Sequence, residues 1–170
     1  NAVVSPEAQL SLAKELDLNL LEIVHPKHLI GDAKVDTTEA PKFSGLAASP
    51  GLISGIVVKN EHDIDKYKSS GKPLIFFSNQ ALPEHAPIMI ATQAFITEFG
   101  GSTSHAAILA RSMGKPCVVG IGKQSIASGE SITIDASEGK IWKGELPIVV
   151  NQKNAINLSK KILAENNVEI

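Results

Sequence analysis

The twelve-residue stretch that starts at Gly100, Gly-Gly-Ser-Thr-Ser-His-Ala-Ala-Ile-Leu-Ala-Arg, constrains this chain more than any other part of its sequence. It follows a short apolar run, Ala94–Thr97, which is typical of the end of a strand. Two glycines then permit a tight turn, because glycine accepts backbone angles that other residues avoid. Thr103 and Ser104 are good N-cap residues, and the alanine-rich run after them favours a helix. The sequence therefore predicts a strand, a glycine turn and a helix whose first turn contains His105.

A helix start of this kind is suited to an anion. Backbone N–H groups without partners, together with the positive end of the helix dipole, attract phosphate there. His105 adds a nucleophile, since a neutral imidazole near pH 7 can accept a phosphoryl group in a labile bond and pass it on. We therefore predict His105 as the catalytic residue, and Gly100, Gly101, Thr103 and Ser104 as phosphate-binding residues. On the residues alone, a satisfied histidine at the surface or in a cap remains an open alternative.

The same string resembles the phosphohistidine motif of the phosphoenolpyruvate-utilising enzymes, roughly Gly-Gly-x-Thr-Ser-His-Ala-Ala-x-x-Ala-Arg followed by Gly-x-Pro and a valine-rich strand. The resemblance continues through residues 114–120, and Ser102 stands where some members carry Met. It implies that His105 is the phosphorylated residue and that Thr103 is a regulatory phosphorylation site. Arg111 lies six positions after His105, about 120° around a helix. We expect it to support the site by pairing locally or by meeting a partner domain, rather than by clamping the phosphoryl group.

A second match to the same family lies about fifty residues earlier in the chain. Gly45–Gly51, Gly-Leu-Ala-Ala-Ser-Pro-Gly, resembles the loop that enters the family's carrier domain, and a strand is predicted after it at Ile53–Val58. The resemblance implies an α/β fold, a compact β/β/α swivelling phosphohistidine domain. We place this carrier domain at residues 43–148, between a helical segment with a hinge linker at 1–42 and a linker helix at 149–170. The chain does not begin with Met, and we expect it to be a segment of a longer polypeptide.

The remaining elements follow from periodicity and from turn residues. Pro87 is expected to limit or bend the helix that contains it. On the central helix, an apolar face that includes Ala106, Ala110 and Met113 should pack against the sheet, with His105 at its rim and reachable from outside. We predict strands at 73–77 and 117–120, a hairpin of 131–135 and 139–143, a short helix or turn at 63–67 and a helix at 83–90.

Composition favours a chain that carries a phosphoryl group over one that activates it. The net charge of −2 gives no sign of nucleic-acid binding, and no apolar run approaches the roughly 20 residues that span a bilayer. Of the 16 basic residues only Arg111 is arginine, whereas sites for ATP or phosphoenolpyruvate usually gather several. Residues 122–125 do not form a Walker A string. No signal peptide is visible, which favours the cytoplasm or an organelle matrix.

Other residues that could carry chemistry are interpreted as structural. Cys117 lies in an apolar strand and is expected to be a core residue. No third ligand accompanies His25 and His28, so no metal site is predicted. Four residues remain, which are expected to face solvent or to stabilise a turn: His62 and His85 in polar loops, and Asp135 and Glu138 in the hairpin.

The resemblance implies a mobile carrier domain that shuttles a phosphoryl group between a nucleotide site and a pyruvate or phosphoenolpyruvate site. Two such sites cannot overlap, because each needs its own water-free, cation-lined pocket. The implied partners are an ATP-grasp domain and a pyruvate-binding barrel of the same polypeptide, with Mg²⁺ and ATP bound there and no cofactor in this segment. Residues 114–117 and a His-Pro pair at 25–26 favour the pyruvate phosphate dikinase branch of phosphotransferases. A phosphoenolpyruvate synthase, another dikinase, or a non-catalytic docking domain of the same fold remain alternatives.

Overall fold

The computed structural model of the protein describes residues 33–150. Apolar residues in this range fall mainly into short runs of three to seven residues, which become strands, and most of the strands are joined by short loops or helices. The strands are β1 Ala33–Val35, β2 Phe43–Ser44, β3 Leu46–Ser49, β4 Leu52–Val58, β5 Leu74–Ser78, β6 Ala94–Thr97, β7 Cys117–Val119, β8 Ser131–Asp135, β9 Lys140–Lys143 and β10 Ile148–Val150. The α-helices are α1 Glu61–Tyr67, α2 Ala86–Ala91 and α3 His105–Met113, with 3₁₀ turns at Lys68–Ser70 and Pro83–His85.

Eight of these strands form one sheet in the order β2-β9-β8-β4-β5-β6-β7-β3. The neighbours from β4 to β7 are parallel, and the other pairs are antiparallel. The two edge strands, β2 and β3, are separated only by Gly45, so the chain passes directly from one edge to the other and closes the sheet on itself. A side chain at Gly45 is excluded, because a Cβ there would lie 2.6 Å from the Val119 carbonyl oxygen.

Alternation along the central strands places apolar side chains on both faces of this closed sheet. Ile75 and Phe77 of β5 point into the interior cluster, while Phe76 between them points outward to the helices. β6 repeats the pattern, with Phe95 on the helix side. The α2 and α3 helices cover that outer face, where Met89 is fully buried. Because parallel strands covered on both faces read as continuous apolar runs, the sequence reveals these strands well.

Most predicted elements are confirmed, and two details were wrong. The segment Gly45–Gly51, predicted as a loop, contains β3, because its Leu46–Ser49 run is needed as an edge partner for β7. Pro87 does not bend a helix: a 3₁₀ turn precedes α2, and Pro87 falls in the first turn of α2, where its missing N–H costs no helical bond. The mixed α/β class is as predicted, with a core made mostly of sheet.

The two ends of the described region meet. β1, which lies in the predicted hinge segment, pairs antiparallel with β10, and Ala33 is the partner of Val150. The predicted domain boundaries at 43 and 148 stay predictions, and the predicted helices at the two ends of the chain lie outside the described residues. None of the helices between residues 33 and 150 has the length and apolar character that crossing a bilayer requires.

Candidate functional site at the start of helix α3

The candidate site lies where the parallel strands of the sheet end. The loop 98–104 leaves the carboxyl end of β6 and opens α3, as predicted. Its first residues extend the ladder to β5, because the Glu98 N–H donates to the Ser78 carbonyl at 3.1 Å and the Phe99 N–H donates to the Asn79 carbonyl at 2.9 Å. The loop therefore starts from a fixed position at the carboxyl end of β6.

Gly100 and Gly101 have different structural roles in this loop. Gly100 has φ +126°, and a Cβ there would lie 3.1 Å from the Ser104 Cβ. Glycine is needed at this position, since such backbone angles strain other residues. Gly101 has no positive φ, and a Cβ there would meet nothing within 4 Å. The space beside Gly101 is open to an approaching group.

The helix start offers unpaired donors. Ser104 is the N-cap of α3, and its hydroxyl oxygen accepts from the Ala107 N–H at 3.4 Å. The first turn of α3 contains no acidic residue. Between residues 98 and 107, six backbone N–H groups find no acceptor among the described residues, those of Gly100, Gly101, Ser102, Thr103, His105 and Ala106. Free N–H donors and the positive helix end are the features that an anion site at a helix start requires.

His105 is the first residue of α3, and it is half-buried. Its Nε2 atom is buried and has no hydrogen-bond partner among the described residues. We predict from the sequence that the His105 ring can be reached from outside, and this is wrong for Nε2, which is covered in the observed orientation. A buried polar atom without a partner costs roughly 1–3 kcal/mol. The alternative of a satisfied cap histidine does not fit either, because Ser104 provides the cap and the ring nitrogen is unsatisfied.

Arg111 reaches back from α3 to the loop. Its Nη2 donates to the Ser102 carbonyl oxygen at 2.6 Å, and its Nη1 donates to the Ala48 carbonyl oxygen in β3 at 3.2 Å. This is the local pairing that the helix geometry predicted. The two acceptors were missed by sequence reasoning, because backbone carbonyls carry no residue signature and tertiary structure alone brings them together.

A second set of contacts that the sequence did not reveal supports the loop from the side of the segment after β7. Glu98 is buried, and its carboxylate accepts from the Gln124 N–H at 3.0 Å. Gly120 approaches from the same side, where a Cβ would lie 3.0 Å from the Gly100 carbonyl oxygen. The segment after β7 therefore supports the site loop from behind.

Among the described residues that were interpreted as structural, the roles are as expected with one exception, while His25 and His28 lie outside the described residues. Burial raises the pKa of the Cys117 thiol to about 12, although the Arg111 charge opposes the rise, so this core residue is unreactive. The Asp135 carboxylate accepts from two backbone N–H groups of the hairpin turn, and His62 is exposed. His85 was expected to face solvent but is half-buried, because its Nδ1 accepts from the Leu82 N–H and its ring packs edge-on against Phe76.

A groove of about 420 Å³ opens next to the loop, at the carboxyl ends of β4 and β5. His105 does not line this groove, and residues 99–103 of the site loop are exposed. Within residues 33–150, no cluster of three or more His, Cys, Asp or Glu side chains could hold a metal ion. The groove is lined by Lys59, Phe77, Ser78, Asn79, Gln80, Leu82 and His85.

Comparison with known proteins identifies this part of the chain. Residues 71–139, which contain the site loop and α3, match the family model described as PEP-utilising enzyme, mobile domain. Residues 71–139, 69 of the 170 residues, are thus similar to the mobile domain of that family. The mobile domain accounts for β5 to β8 of the sheet, and the strands before and after it complete the closed sheet.

Named relatives of the mobile domain are large enzymes. The chain is 37% identical over 124 residues to a pyruvate, phosphate dikinase of Entamoeba histolytica, a match that covers 65% of this chain and 14% of that enzyme. It is 40% identical over 119 residues to the Rickettsia prowazekii dikinase, covering 62% and 13%. A phosphoenolpyruvate synthase of Pyrococcus furiosus is 36% identical over 115 residues, covering 65% and 14%. The match therefore spans about one seventh of these relatives.

Solved structures that resemble the chain include an N-terminal fragment of Enzyme I determined by NMR. It has a TM-score of 0.38 and 24% identity, covering 57% of this chain and 39% of that one. The N-terminal domain of a nitrogen Enzyme 1 has a TM-score of 0.35 and 17% identity, covering 60% and 41%.

Proposed function

We propose that the chain is a phosphoryl carrier that is phosphorylated on His105 and serves a phosphotransferase of the pyruvate phosphate dikinase kind. The observation that carries this proposal is a histidine at a helix start whose Nε2 has no hydrogen-bond partner within residues 33–150, beside several backbone N–H groups that also find no acceptor there. A structural histidine has its nitrogens paired, and a structural helix start has its donors capped. Here both sets of groups are left for a ligand.

The transfer step needs only the ring and a phosphoryl donor. A lone pair on an imidazole nitrogen of His105 attacks phosphorus, a P–N bond forms, and the bond from phosphorus to the donor oxygen breaks, with the electron pair leaving on that oxygen. The ring proton goes to solvent when the product is neutral imidazole. Passage to an acceptor oxygen reverses these steps. Because Nε2 is covered in the observed orientation, transfer through that atom requires the ring to rotate.

The helix start would stabilise the added charge. A helix end contributes about 0.3–1 kcal/mol, or up to ~2 kcal/mol when partly buried. The Thr103 side chain is exposed, and the Ser104 hydroxyl accepts a hydrogen bond, so its own proton remains free to donate. Charge-assisted bonds from such hydroxyls are worth roughly 1.5–3 kcal/mol each. These contributions would hold a phosphoryl group without trapping it.

The surroundings of His105 suit a carrier better than a complete active site. The loop is open, and the described residues around it contain one arginine and no metal-binding cluster. Activation of the phosphoryl group is therefore assigned to partner domains: an ATP-grasp domain that binds ATP and Mg²⁺, and a barrel that binds pyruvate or phosphoenolpyruvate. The exposed Thr103 is the proposed regulatory position.

Phosphorylation of the intact chain by phosphoramidate, a small donor that needs no partner domain, tests the proposal. We expect intact-mass spectrometry to show one acid-labile, alkali-stable phosphoryl group, which His105→Ala abolishes. His62→Ala, which removes an exposed histidine from α1, is the control and should be phosphorylated like the wild type. A wild-type chain that takes up no phosphoryl group, or a His105→Ala variant that takes up as much as the wild type, contradicts the carrier function and leaves a docking domain as the better description.

A phosphoenolpyruvate synthase is the second candidate, because the Pyrococcus furiosus relative matches over a similar length. The two enzymes differ in whether ATP consumption with pyruvate requires inorganic phosphate. Measured on the full polypeptide that contains this chain, we expect a phosphate requirement. Full turnover without phosphate supports the synthase instead.

A further inference from the structure

We propose that Arg111 is a positioning residue for phosphoryl transfer, which orients the Ser102–Thr103 peptide so that the Thr103 N–H faces the phosphoryl group on His105. This inference rests on the proposed function of His105. It extends that function by explaining how a glycine-rich loop is kept in one conformation.

The guanidinium joins two parts of the protein that are far apart in sequence. One N–H group holds the Ser102 carbonyl in the site loop, and another holds the Ala48 carbonyl in β3. Ala48 is buried, and its strand pairs with β7, so this second anchor is fixed to the sheet. A planar fork of donors can bridge two acceptors in this way from two separate nitrogens, whereas all three donors of a lysine ammonium leave a single nitrogen.

Holding the carbonyl also fixes the amide that follows it. In a trans peptide the C=O and N–H bonds point in opposite directions, and the described residues contain no cis peptide. The Ser102 carbonyl points at Arg111, so the Thr103 N–H points away from it. That N–H finds no acceptor among the described residues, and it lies two residues before His105.

A donor oriented before the reaction is worth more than one that must be ordered during it. Without Arg111, the open space beside Gly101 would let this peptide turn over. We therefore expect Arg111 to act through the Thr103 N–H rather than by touching the phosphoryl group itself.

The test compares the wild-type chain with Arg111→Lys, Arg111→Ala and a matched control, Ser112→Ala. The Ser112 hydroxyl donates to the Leu109 carbonyl on the same helix without reaching the loop. Each ¹⁵N-labelled chain is treated with phosphoramidate, and both the phosphorylation rate and the Thr103 amide proton shift are followed by NMR. In the wild type and the control, we expect phosphorylation to move the Thr103 amide proton downfield. In both Arg111 variants this movement should disappear, and the rate should fall by roughly ten- to a hundredfold.

The outcomes separate this proposal from the carrier function. Arg111 variants that keep the Thr103 shift and the rate overturn the positioning role while leaving His105 as the carrier. A loss of rate with an unchanged Thr103 shift also overturns it. If the wild type itself takes up no phosphoryl group, both proposals fail. If Arg111→Ala does not fold, Arg111→Lys decides, because it keeps the positive charge but replaces the two guanidinium nitrogens that hold the two carbonyls by one ammonium nitrogen.

Discussion

Two connections from a strand to a helix leave the carboxyl ends of the parallel strands. They differ in whether side chains accept from the backbone N–H groups at the start of the helix. Between β4 and α1, the Asn60 side chain accepts from the Asp63 N–H at 2.9 Å, and the Asp63 carboxylate accepts from the Lys59 N–H and the Ser128 hydroxyl at 2.9 and 2.6 Å. Between β6 and α3, Ser104 caps one N–H, and several others have no acceptor in the described part of the chain. Side chains of the protein satisfy the first connection, whereas the second keeps several N–H groups without acceptors among residues 33–150.

The difference comes from the acidic residues. α1 has Glu61 and Asp63 in its first turn, whereas the first turn of α3 has none. Carboxylates near a helix N-terminus satisfy its donors and its dipole, and they would repel an incoming phosphate. A helix start that can bind an anion therefore differs from a structural one in its free backbone N–H groups. Substitutions in the two connections test this difference.

The largest effect is expected from removing the hydrogen bonds that the Asp63 carboxylate accepts at the start of α1. Asp63→Ala removes two accepted hydrogen bonds at a buried residue and should lower the free energy of unfolding by about 2–3 kcal/mol, measured by urea denaturation. Phosphorylation of His105 should be unaffected in the folded protein. Asp65→Ala is the control, since that carboxylate is exposed and pairs only with Lys68 on the surface, and its unfolding midpoint should stay unchanged. Equal losses in the two variants would mean that the Asp63 bonds do not close this connection.

A smaller effect is expected from straining the open loop. Gly100→Ala forces a side chain onto φ +126° and against Ser104, which should cost about 1–3 kcal/mol of stability and displace the cap of α3. Gly101→Ala is the matched control and should leave the unfolding midpoint near that of the wild type, because a Cβ there meets nothing within 4 Å. A larger loss in Gly101→Ala than in Gly100→Ala would show that the loop adopts a different backbone in solution.

An acidic side chain placed at the start of α3, like those in the first turn of α1, should weaken the binding of an anion there. Thr103→Asp places a negative charge beside the free N–H groups and should slow phosphorylation of His105 about tenfold relative to Thr103→Asn, which has the same shape and no charge. The difference should shrink as salt is added, because the charge is exposed. Identical rates for the two variants would rule out an electrostatic role for the helix start.

The smallest effect concerns pH. Burial alone would raise the pKa of the Asp63 carboxyl, but the hydrogen bonds from Ser128 and from the Lys59 N–H outweigh burial and lower the pKa below its ordinary 3.8. The folded state therefore binds this proton less tightly than the unfolded state. Its contribution to stability is fully present above the unfolded pKa and is lost as the pH falls through the folded pKa.

Unfolding midpoints measured from about pH 5 down to about pH 3 check this expectation. Asp63→Asn cannot titrate, so its stability should fall less steeply with acid than that of the wild type. Parallel curves for the two proteins would show that the hydrogen bonds to Asp63 do not distinguish its charged form.

Much of this architecture could be predicted from the sequence, because local chemistry decides it. Apolar runs covered on both faces identified β5, β6 and β7, and the Gly-Gly-x-Thr-Ser-His string predicted both the turn and the cap of α3. The closure of the sheet could not be predicted, since it depends on Gly45 fitting between strands from opposite edges. The half-buried place of His85 was missed for a similar reason, because its ring packs against Phe76 of β5 only in the folded chain.

The sequence by itself determined that a histidine would stand at the start of a helix behind two glycines, because turn, cap and helix preferences act between residues close in the chain. Only the tertiary structure decided that Nε2 of this histidine would be covered and without a partner among residues 33–150, and that Arg111 would hold a carbonyl of β3 as well as one of the loop. Burial and long-range hydrogen bonds depend on elements that are distant in sequence, so no local pattern can specify them. One short stretch of sequence thus specifies the residues of the site, while the sheet against which they pack sets their arrangement.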